Sequence, residues 1–234
     1  MTEPLITPND YRRACRHLVA SDPVIAAIIR RQGPCGMGRF KRPDPYLALV
    51  EAIVWQQLSV KAAKTIYTRL LAKFPADTGL TPAALGKTRR ARLRHAGLSW
   101  AKVDYLKDLS AKVNRGTLDL IALETQSDDQ VISELTSVKG IGRWSADMFL
   151  MFRLGRPDVF PVGDLGIVKA MQKAYRLRKP PTPQRMFKIA EPWRPYRSVA
   201  SWYLWESVEN APLDGCDDRP RRRKLNVPRG PTHH

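Results

Sequence analysis

Hydrophobic residues recur at helical spacing along nearly the whole chain. The first such stretch covers residues 9–31, where apolar positions from Leu18 to Ile29 follow the period of an α-helix and Asp22-Pro23 interrupts them. The same spacing predicts helices from 45 to about 56 and over 60–73, 81–86, 88–95, 100–113, 128–136, 143–154, 165–177, 184–190 and 196–209. Convincing strand patterns and repeats of 20–50 residues are missing. The pattern therefore predicts an all-α fold.

Residues that favour helix ends stand at several of these boundaries. Asp44 and Pro45 form a typical N-cap and first turn, and Ser59 can cap the helix that follows. Gly97 is typical of a helix stop. These signals support the predicted order of elements.

Charge narrows the class of partner. The 234 residues include 40 Lys and Arg against 22 Asp and Glu, a net charge of +18, and the pI is near 10.3. Such an excess is typical of proteins that bind a polyanion, most often nucleic acid. A ribosome-associated or merely basic protein is the alternative on charge alone. A chain of this length can bury a core as one large domain or as two small lobes.

Cysteine and histidine usage argues against several classes of site. Cys15, Cys35 and Cys216 are scattered, form no Cys-x-x-Cys motif and are too few for a four-cysteine iron–sulfur cluster. The four histidines lack zinc-ligand spacing. No stretch reaches the ~20 apolar residues of a membrane span, and the N-terminus resembles no secretion signal. We expect an intracellular protein of the cytoplasm or nucleoid (the nucleus in a eukaryote), with no required cofactor and no membrane partner.

A glycine-containing turn joins two of the predicted helices. It reads Lys139-Gly140-Ile141-Gly142-Arg143, and two glycines one residue apart let the backbone turn tightly and approach a ligand closely. Free amides at the start of the second helix favour an anion such as a DNA phosphate, with Lys139 and Arg143 adding charge. A simple turn between two packed helices is the alternative, because Gly-x-Gly alone is a weak signal.

The sequence around this turn resembles a known family. Residues 131–167 resemble the helix-hairpin-helix and Gly/Pro…Asp signature of the helix-hairpin-helix (HhH-GPD) DNA glycosylase superfamily, most closely its alkylbase, 3-methyladenine II type. Further similar stretches are 49–63, with a Gln-Gln-x-Ser turn, 93–106 and 193–205. The resemblance implies an all-α glycosylase domain over 1–215 with a cleft between two lobes. One lobe would hold roughly 46–165, the other the N-terminal segment and the remainder, followed by a basic, loosely ordered tail at 216–234.

A carboxylate follows the hairpin in an apolar setting. Cutting an N-glycosidic bond builds positive charge on the sugar, which a nearby carboxylate stabilises. Asp164 stands just before the helix predicted at 165–177, and it falls on the catalytic aspartate of the family that the chain resembles. Capping that helix is the alternative role, and one side chain can do both. Lower-ranked competitors are Asp147, within a helix, and Asp129 and Asp158, which we expect to be solvated loop or cap residues.

One position bears on the reaction subtype. Enzymes of the superfamily that also nick the strand form a Schiff base through a lysine two residues after the second hairpin glycine. That position is Trp144 in this chain, and Lys139 is out of register. The resemblance therefore implies a monofunctional glycosylase that uses water.

Extruding a base requires a side chain to fill the gap in the duplex. The family places this wedge in the turn after its N-terminal core helix, where this chain has Gln57, with Leu58 and Ser59 beside it. The position of Gln57 is aliphatic in one relative. For Gln56 and Gln57 the alternative is a polar helix terminus that binds backbone groups.

The resemblance also implies an aromatic pocket and a cation site. Trp144 and Trp205 match aromatic pocket positions, which suit a positively charged alkylated purine, while Met148 stands where a relative has tyrosine. Weaker candidates are Trp55, Trp202 and Tyr203, and core packing is the alternative for any one of these aromatic residues. By analogy, the backbone carbonyls of Thr136, Val138 and Ile141 would hold a monovalent cation, Na⁺ or K⁺.

The predicted function is hydrolytic removal of alkylated purines, 3-methyladenine and 7-methylguanine, from double-stranded DNA by a monomeric base excision repair enzyme. A glycosylase for hypoxanthine, uracil or a mismatch is one alternative. A non-catalytic helix-hairpin-helix module that only binds DNA is the other, and it leaves Asp164 unexplained.

Overall fold

The computed structural model describes residues 4, 7–39, 44–75 and 79–209. Within these ranges every regular element is a helix, and none of the described helices is both long and apolar enough to cross a bilayer. The predicted tail at 216–234, which includes Cys216, lies outside the described residues. The all-α prediction is confirmed.

Twelve α-helices follow one another along the described part of the chain. They are α1 (Pro8–Ser21), α2 (Pro23–Gln32), α3 (Pro45–Trp55), α4 (Val60–Leu71), α5 (Pro82–Lys87), α6 (Arg90–Arg94), α7 (Trp100–Asn114), α8 (Asp128–Thr136), α9 (Arg143–Met148), α10 (Leu165–Ala174), α11 (Pro183–Ala190) and α12 (Arg197–Glu209). The predicted caps are in place, since the side chains of Asp44 and Ser59 accept amides at the starts of α3 and α4.

Two predicted helices differ from the structure. The stretch 143–154 is an α-helix only to Met148 and continues as a π-helix over Phe149–Arg153, in which Leu154 N donates to Phe149 O. Such a bulge rotates the residues that follow it relative to an ideal α-helix. The helix predicted at 165–177 ends at Ala174, and Arg176 has a left-handed φ of 51°, which an α-helix does not tolerate.

The helices pack as two lobes. In one lobe α3, α5 and α6 pack on α7, α4 packs on α3, and α8 packs on α9, whose π-helical continuation contacts α3. In the other lobe α1 and α2 pack on α12, α10 packs on α12, and α1 also contacts the turn at Glu191–Trp193. Asp22 shows why the N-terminal segment joins the C-terminal helices. Its buried carboxylate caps α2 and accepts hydrogen bonds from Tyr175 Oη at 2.6 Å and Trp193 Nε1 at 2.9 Å. The bounds given to the two lobes from the sequence stay a prediction.

The segment between the π-helix and α10 is anchored to the start of α12. Arg197 donates through Nε at 2.7 Å and Nη2 at 2.9 Å to the carboxylate of Asp158. Ser198 Oγ donates to Arg156 O at 2.7 Å and accepts Val159 N at 2.9 Å. The prediction that Asp158 is solvated is therefore wrong, because it is half-buried and ion-paired. These bonds hold the segment that leads to Asp164.

Candidate active site

The hairpin joins α8 to α9, and its two glycines differ. Gly140 has φ of 78°, and a Cβ added there would lie 2.1 Å from the ring of Tyr105. Gly142 has an ordinary φ and is the N-cap of α9, where no side chain caps the helix and a Cβ would meet no described atom within 4 Å. The first amides of α9 thus adjoin open space, beside the exposed side chains of Lys139 and Arg143. This arrangement suits an anion.

Asp164 lies at the meeting point of the two lobes. It is the N-cap of α10, and its Oδ1 accepts Ile167 N at 2.8 Å. The same oxygen accepts Trp205 Nε1 at 2.9 Å, and Oδ2 accepts Trp144 Nε1 at 2.6 Å. The carboxylate therefore caps a helix and is also held between two indoles. Three hydrogen bonds fix its orientation, and they come from both lobes.

The predicted pocket residues divide into two groups. Trp144, which is 47% exposed, and the half-buried Trp205 share Asp164, and Met148 lies one turn after Trp144 at the end of α9. Trp55 ends α3, and its buried Nε1 has no hydrogen-bond partner in the described part of the chain. No described hydrogen bond joins Trp55 to Asp164, so its place in the pocket stays a prediction.

Trp202 and Tyr203 are core residues, so their candidacy for the pocket is wrong. Trp202 is 9% exposed and packs so closely on Gly36 that an added Cβ would lie 2.7 Å from its ring. Tyr203 is fully buried, and its hydroxyl donates to Gly33 O at 2.8 Å. Both side chains hold the loop after α2 against α12.

Phe152 is a site residue that the helical pattern missed. Its ring stacks on Trp205 with centroids 6.1 Å apart and planes 27° from parallel. It lies in the π-helix, eight residues after Trp144 and four after Met148. Residues four apart share a helix face, so this spacing is the signal in the sequence that could have found it.

A cavity of about 370 Å³ adjoins Asp164 and is rich in carboxylates. It is lined in part by Asp128, Asp129, Asp147, Asp158, Arg143 and Arg197. Burial raises the pKa of Asp147, although the hydrogen bond from Arg143 opposes this shift. Asp129 is exposed near the start of α8, as predicted. None of these competitors accepts a described indole hydrogen bond, and the acidic lining disfavours a phosphate.

The turn between α3 and α4 projects the predicted wedge. Gln57 is exposed and has a left-handed φ of 55°, while Leu58 is 38% exposed and Ser59 caps α4. Gln56 takes the alternative role, because its Nε2 donates to Gly140 O at 2.8 Å. The turn and the hairpin are therefore directly linked.

The hairpin carbonyls predicted to hold a cation meet a first test of fit. At the end of α8, Ser137 N donates to the carbonyls of Ser133 and Glu134, and Val138 N donates to the carbonyl of Leu135. The carbonyl of Thr136 is the next along the chain and stays available to another partner. The carbonyl of Val138 accepts Ile141 N at 3.1 Å and retains a second lone pair. The side chains of Val138 and Ile141 are hydrocarbons without an acceptor atom, so these two residues can contribute only backbone oxygens. No His, Cys, Asp or Glu cluster suited to a metal occurs among the described residues.

Two helical lobes, a hairpin with free amides and a carboxylate between two indoles define a helix-hairpin-helix protein of the DNA glycosylase type. The family model described as "HhH-GPD superfamily base excision DNA repair protein" matches residues 50–195. The chain therefore belongs to the HhH-GPD superfamily, as its motifs predicted.

Several proteins that are similar to this chain in sequence or structure are named as 3-methyladenine glycosylases. The DNA-3-methyladenine glycosylase 1 of Schizosaccharomyces pombe is 34% identical over 172 residues, 73% of this chain and 75% of that protein. The structure of the Schizosaccharomyces pombe 3-methyladenine DNA glycosylase in complex with abasic DNA matches with a TM-score of 0.73 at 32% identity, over 85% of this chain and 98% of that one. DNA-3-methyladenine glycosidase from Bacillus halodurans matches with a TM-score of 0.74 at 35% identity, over 84% and 89%.

Proposed function

We propose that this protein is a monofunctional DNA glycosylase that hydrolyses the N-glycosidic bond of alkylated purines in double-stranded DNA. The observation that carries the proposal is Asp164, an oriented carboxylate between the indoles of Trp144 and Trp205. Membership of a base excision repair superfamily supports it, as do the names of the similar relatives. The protein acts as a monomer in this proposal.

Asp164 acts mainly through its charge. A carboxylate has about four lone-pair sites, and three are occupied by the hydrogen bonds to Ile167 N, Trp205 and Trp144. The remaining site can face the sugar or a water molecule. Because positive charge grows on the sugar as the bond breaks, a fixed negative charge beside it lowers the barrier.

The indoles supply the affinity for the base. A purine methylated at N3 or N7 carries positive charge, which the face of a tryptophan attracts. Trp144 is open on one side and Trp205 is backed by Phe152. Since a cationic base is already a good leaving group, no general acid is needed. Met148 stands where a relative has a tyrosine, so the pocket has one aromatic ring fewer. This difference affects which alkylated base the pocket prefers.

The hairpin and the α3–α4 turn serve DNA binding. The free amides at Gly142, together with Lys139 and Arg143, bind a phosphate, and Gln57 with Leu58 fills the space left by the extruded base. A Na⁺ or K⁺ ion held by the carbonyls of Thr136, Val138 and Ile141 would add positive charge at the hairpin.

Free bases released from methylated duplex DNA test this proposal. The wild type should release 3-methyladenine or 7-methylguanine. Asp164→Asn should retain DNA binding and lose at least about a hundredfold in rate, the order of effect for removing an electrostatic stabiliser. Asp129→Asn is the matched control, because that carboxylate is exposed. Equal activity of the Asp164→Asn variant would refute the assigned role.

A second assay separates the reaction subtypes. No lysine amine stands at position 144, so borohydride should trap no covalent complex and strands should stay intact until the abasic sites are cleaved by alkali. Release of hypoxanthine or uracil, and not of methylated purines, would favour the alternative lesion classes. Tight binding without release of any base would favour a non-catalytic module.

A further inference from the structure

The turn between α3 and α4, residues 56–59, carries the predicted wedge and is called the intercalating turn below. Its backbone is strained. Gln57 carries a Cβ and yet adopts φ of 55°, a conformation that persists only where the surroundings hold it. Gln57 and Leu58 are both exposed, so their side chains contribute little to holding the turn. The restraint has to come from the backbone on either side.

Lys102 of α7 provides that restraint on the N-terminal side. Its ammonium donates to Val54 O and to Gln56 O, both at 2.7 Å. These carbonyls belong to the end of α3, where a helix has no further amides to bind them. Burial lowers the pKa of Lys102, which agrees with its place beneath the turn.

The same side of α7 holds the hairpin. The ring of Tyr105 lies against Gly140, and the carboxylate of Asp108 accepts Lys139 N at 2.9 Å. Residues three apart are neighbours on a helix surface, so Lys102, Tyr105 and Asp108 form one stripe. Gln56 closes the connection through its hydrogen bond to Gly140 O. One rigid helix therefore supports both the turn and the hairpin.

We propose that Lys102 is a positioning residue for base extrusion, which holds the intercalating turn at a fixed place relative to the phosphate-binding hairpin. The inference rests on the proposed function. With the hairpin on a phosphate, the turn can enter the duplex only at the distance that α7 sets. Loss of the ammonium releases the end of α3, so DNA still binds while Gln57 no longer enters the base stack reliably.

The chain offers a matched control for Lys102→Met. Lys107 lies on the same helix, and its ammonium binds the carbonyls of Leu85, Gly86 and Thr88 at the end of α5. Burial lowers its pKa as well. Lys107→Met therefore removes the same kind of helix-end contact away from the turn and the hairpin. Thermal unfolding of both variants separates stability from positioning.

Intercalation is measured with a duplex that carries a tetrahydrofuran abasic analogue opposite 2-aminopurine. The wild type and Lys107→Met should change the 2-aminopurine fluorescence on binding, and Lys102→Met should not. The Kd for an undamaged duplex, measured by fluorescence anisotropy, should change less than about threefold in either variant, because the phosphate contacts remain. Single-turnover base release by Lys102→Met should fall by about tenfold to a hundredfold, as expected for a misplaced group. Lys102→Arg should restore part of both signals.

Two results would overturn the inference: a normal fluorescence change and rate in Lys102→Met, or an equal loss in Lys107→Met. If Lys102→Met does not fold, Gln56→Ala tests the same connection through Gly140 and should lose the fluorescence change. The wild type could also release no methylated base and still show a fluorescence change that Lys102→Met abolishes. That result would reject alkylated purines as the substrate and would support the positioning role of Lys102.

Discussion

Substitution by alanine should destabilise the protein at one hairpin glycine and leave its stability nearly unchanged at the other. Gly140→Ala places a Cβ in a left-handed conformation, which costs about 1–2 kcal/mol. That Cβ would also lie 2.1 Å from the Tyr105 ring, and forcing an extra carbon into packed surroundings costs about 1–3 kcal/mol. We expect Gly140→Ala to lose about 2–5 kcal/mol of unfolding free energy in total. For a chain of this size, that is roughly 4–20 °C in Tm.

Gly142→Ala should leave stability nearly unchanged. Its φ of −98° suits alanine, and a Cβ there meets no described atom within 4 Å. A smaller unfolded-state entropy favours alanine by about 0.4–1 kcal/mol, while glycine is the better N-cap by a similar amount. If a phosphate approaches the amides of α9, however, the methyl group should weaken DNA binding.

Urea unfolding and DNA binding of the two single variants test this contrast. Tyr105→Ala provides a further check, because it removes the ring that the new Cβ meets. In that background Gly140→Ala should cost only the left-handed backbone penalty, about 1–2 kcal/mol. Equal unfolding free energies for Gly140→Ala and Gly142→Ala would refute the reasoning. So would an unchanged cost in the Tyr105→Ala background.

Three further predictions follow from other parts of the molecule. Asp22→Ala leaves the buried Trp193 indole and the part-buried Tyr175 hydroxyl without their acceptor, which should cost about 2–6 kcal/mol in urea unfolding. A loss below about 1 kcal/mol would contradict the role of this carboxylate. Trp205→Phe removes an indole hydrogen bond to the carboxylate of Asp164, so base release should fall with little change in Tm, whereas Trp202→Phe should lower Tm and spare release. The reverse pattern would contradict the proposed role of Trp205. Burial raises the pKa of Cys35 from 9.0 to about 12. Between these two pKa values the folded state keeps a proton that the unfolded state loses, so the protein becomes less stable as the pH rises. In Cys35→Ser, Tm should therefore fall less steeply with rising pH than in the wild type. An equally steep fall of Tm in the variant would contradict the prediction.

The chain alone determined the helices and the chemistry they carry. Helical periodicity and capping residues are local properties, so most boundaries agree with the structure to within a few residues. The hairpin could be located from its two glycines between predicted helices, and Asp164 as the residue before a predicted helix, because a short turn and a helix start depend on neighbours in the chain. The resemblance to the glycosylase family then singled out Asp164 as the candidate catalyst. Even the two roles of Asp164, cap and candidate catalyst, were expected together.

Tertiary structure decided which aromatic residues form the site. Helix α12 is buried on nearly all sides, so its apolar pattern cannot distinguish Trp205, which bonds to Asp164, from Trp202, which packs in the core. Phe152 in the π-helix stacks on Trp205 in α12, and spacing within either helix does not show which residues of the other helix it contacts. The bonds of Gln56 and Lys102 join segments far apart in the chain. Such contacts depend on how whole helices pack, and no local sequence pattern encodes that.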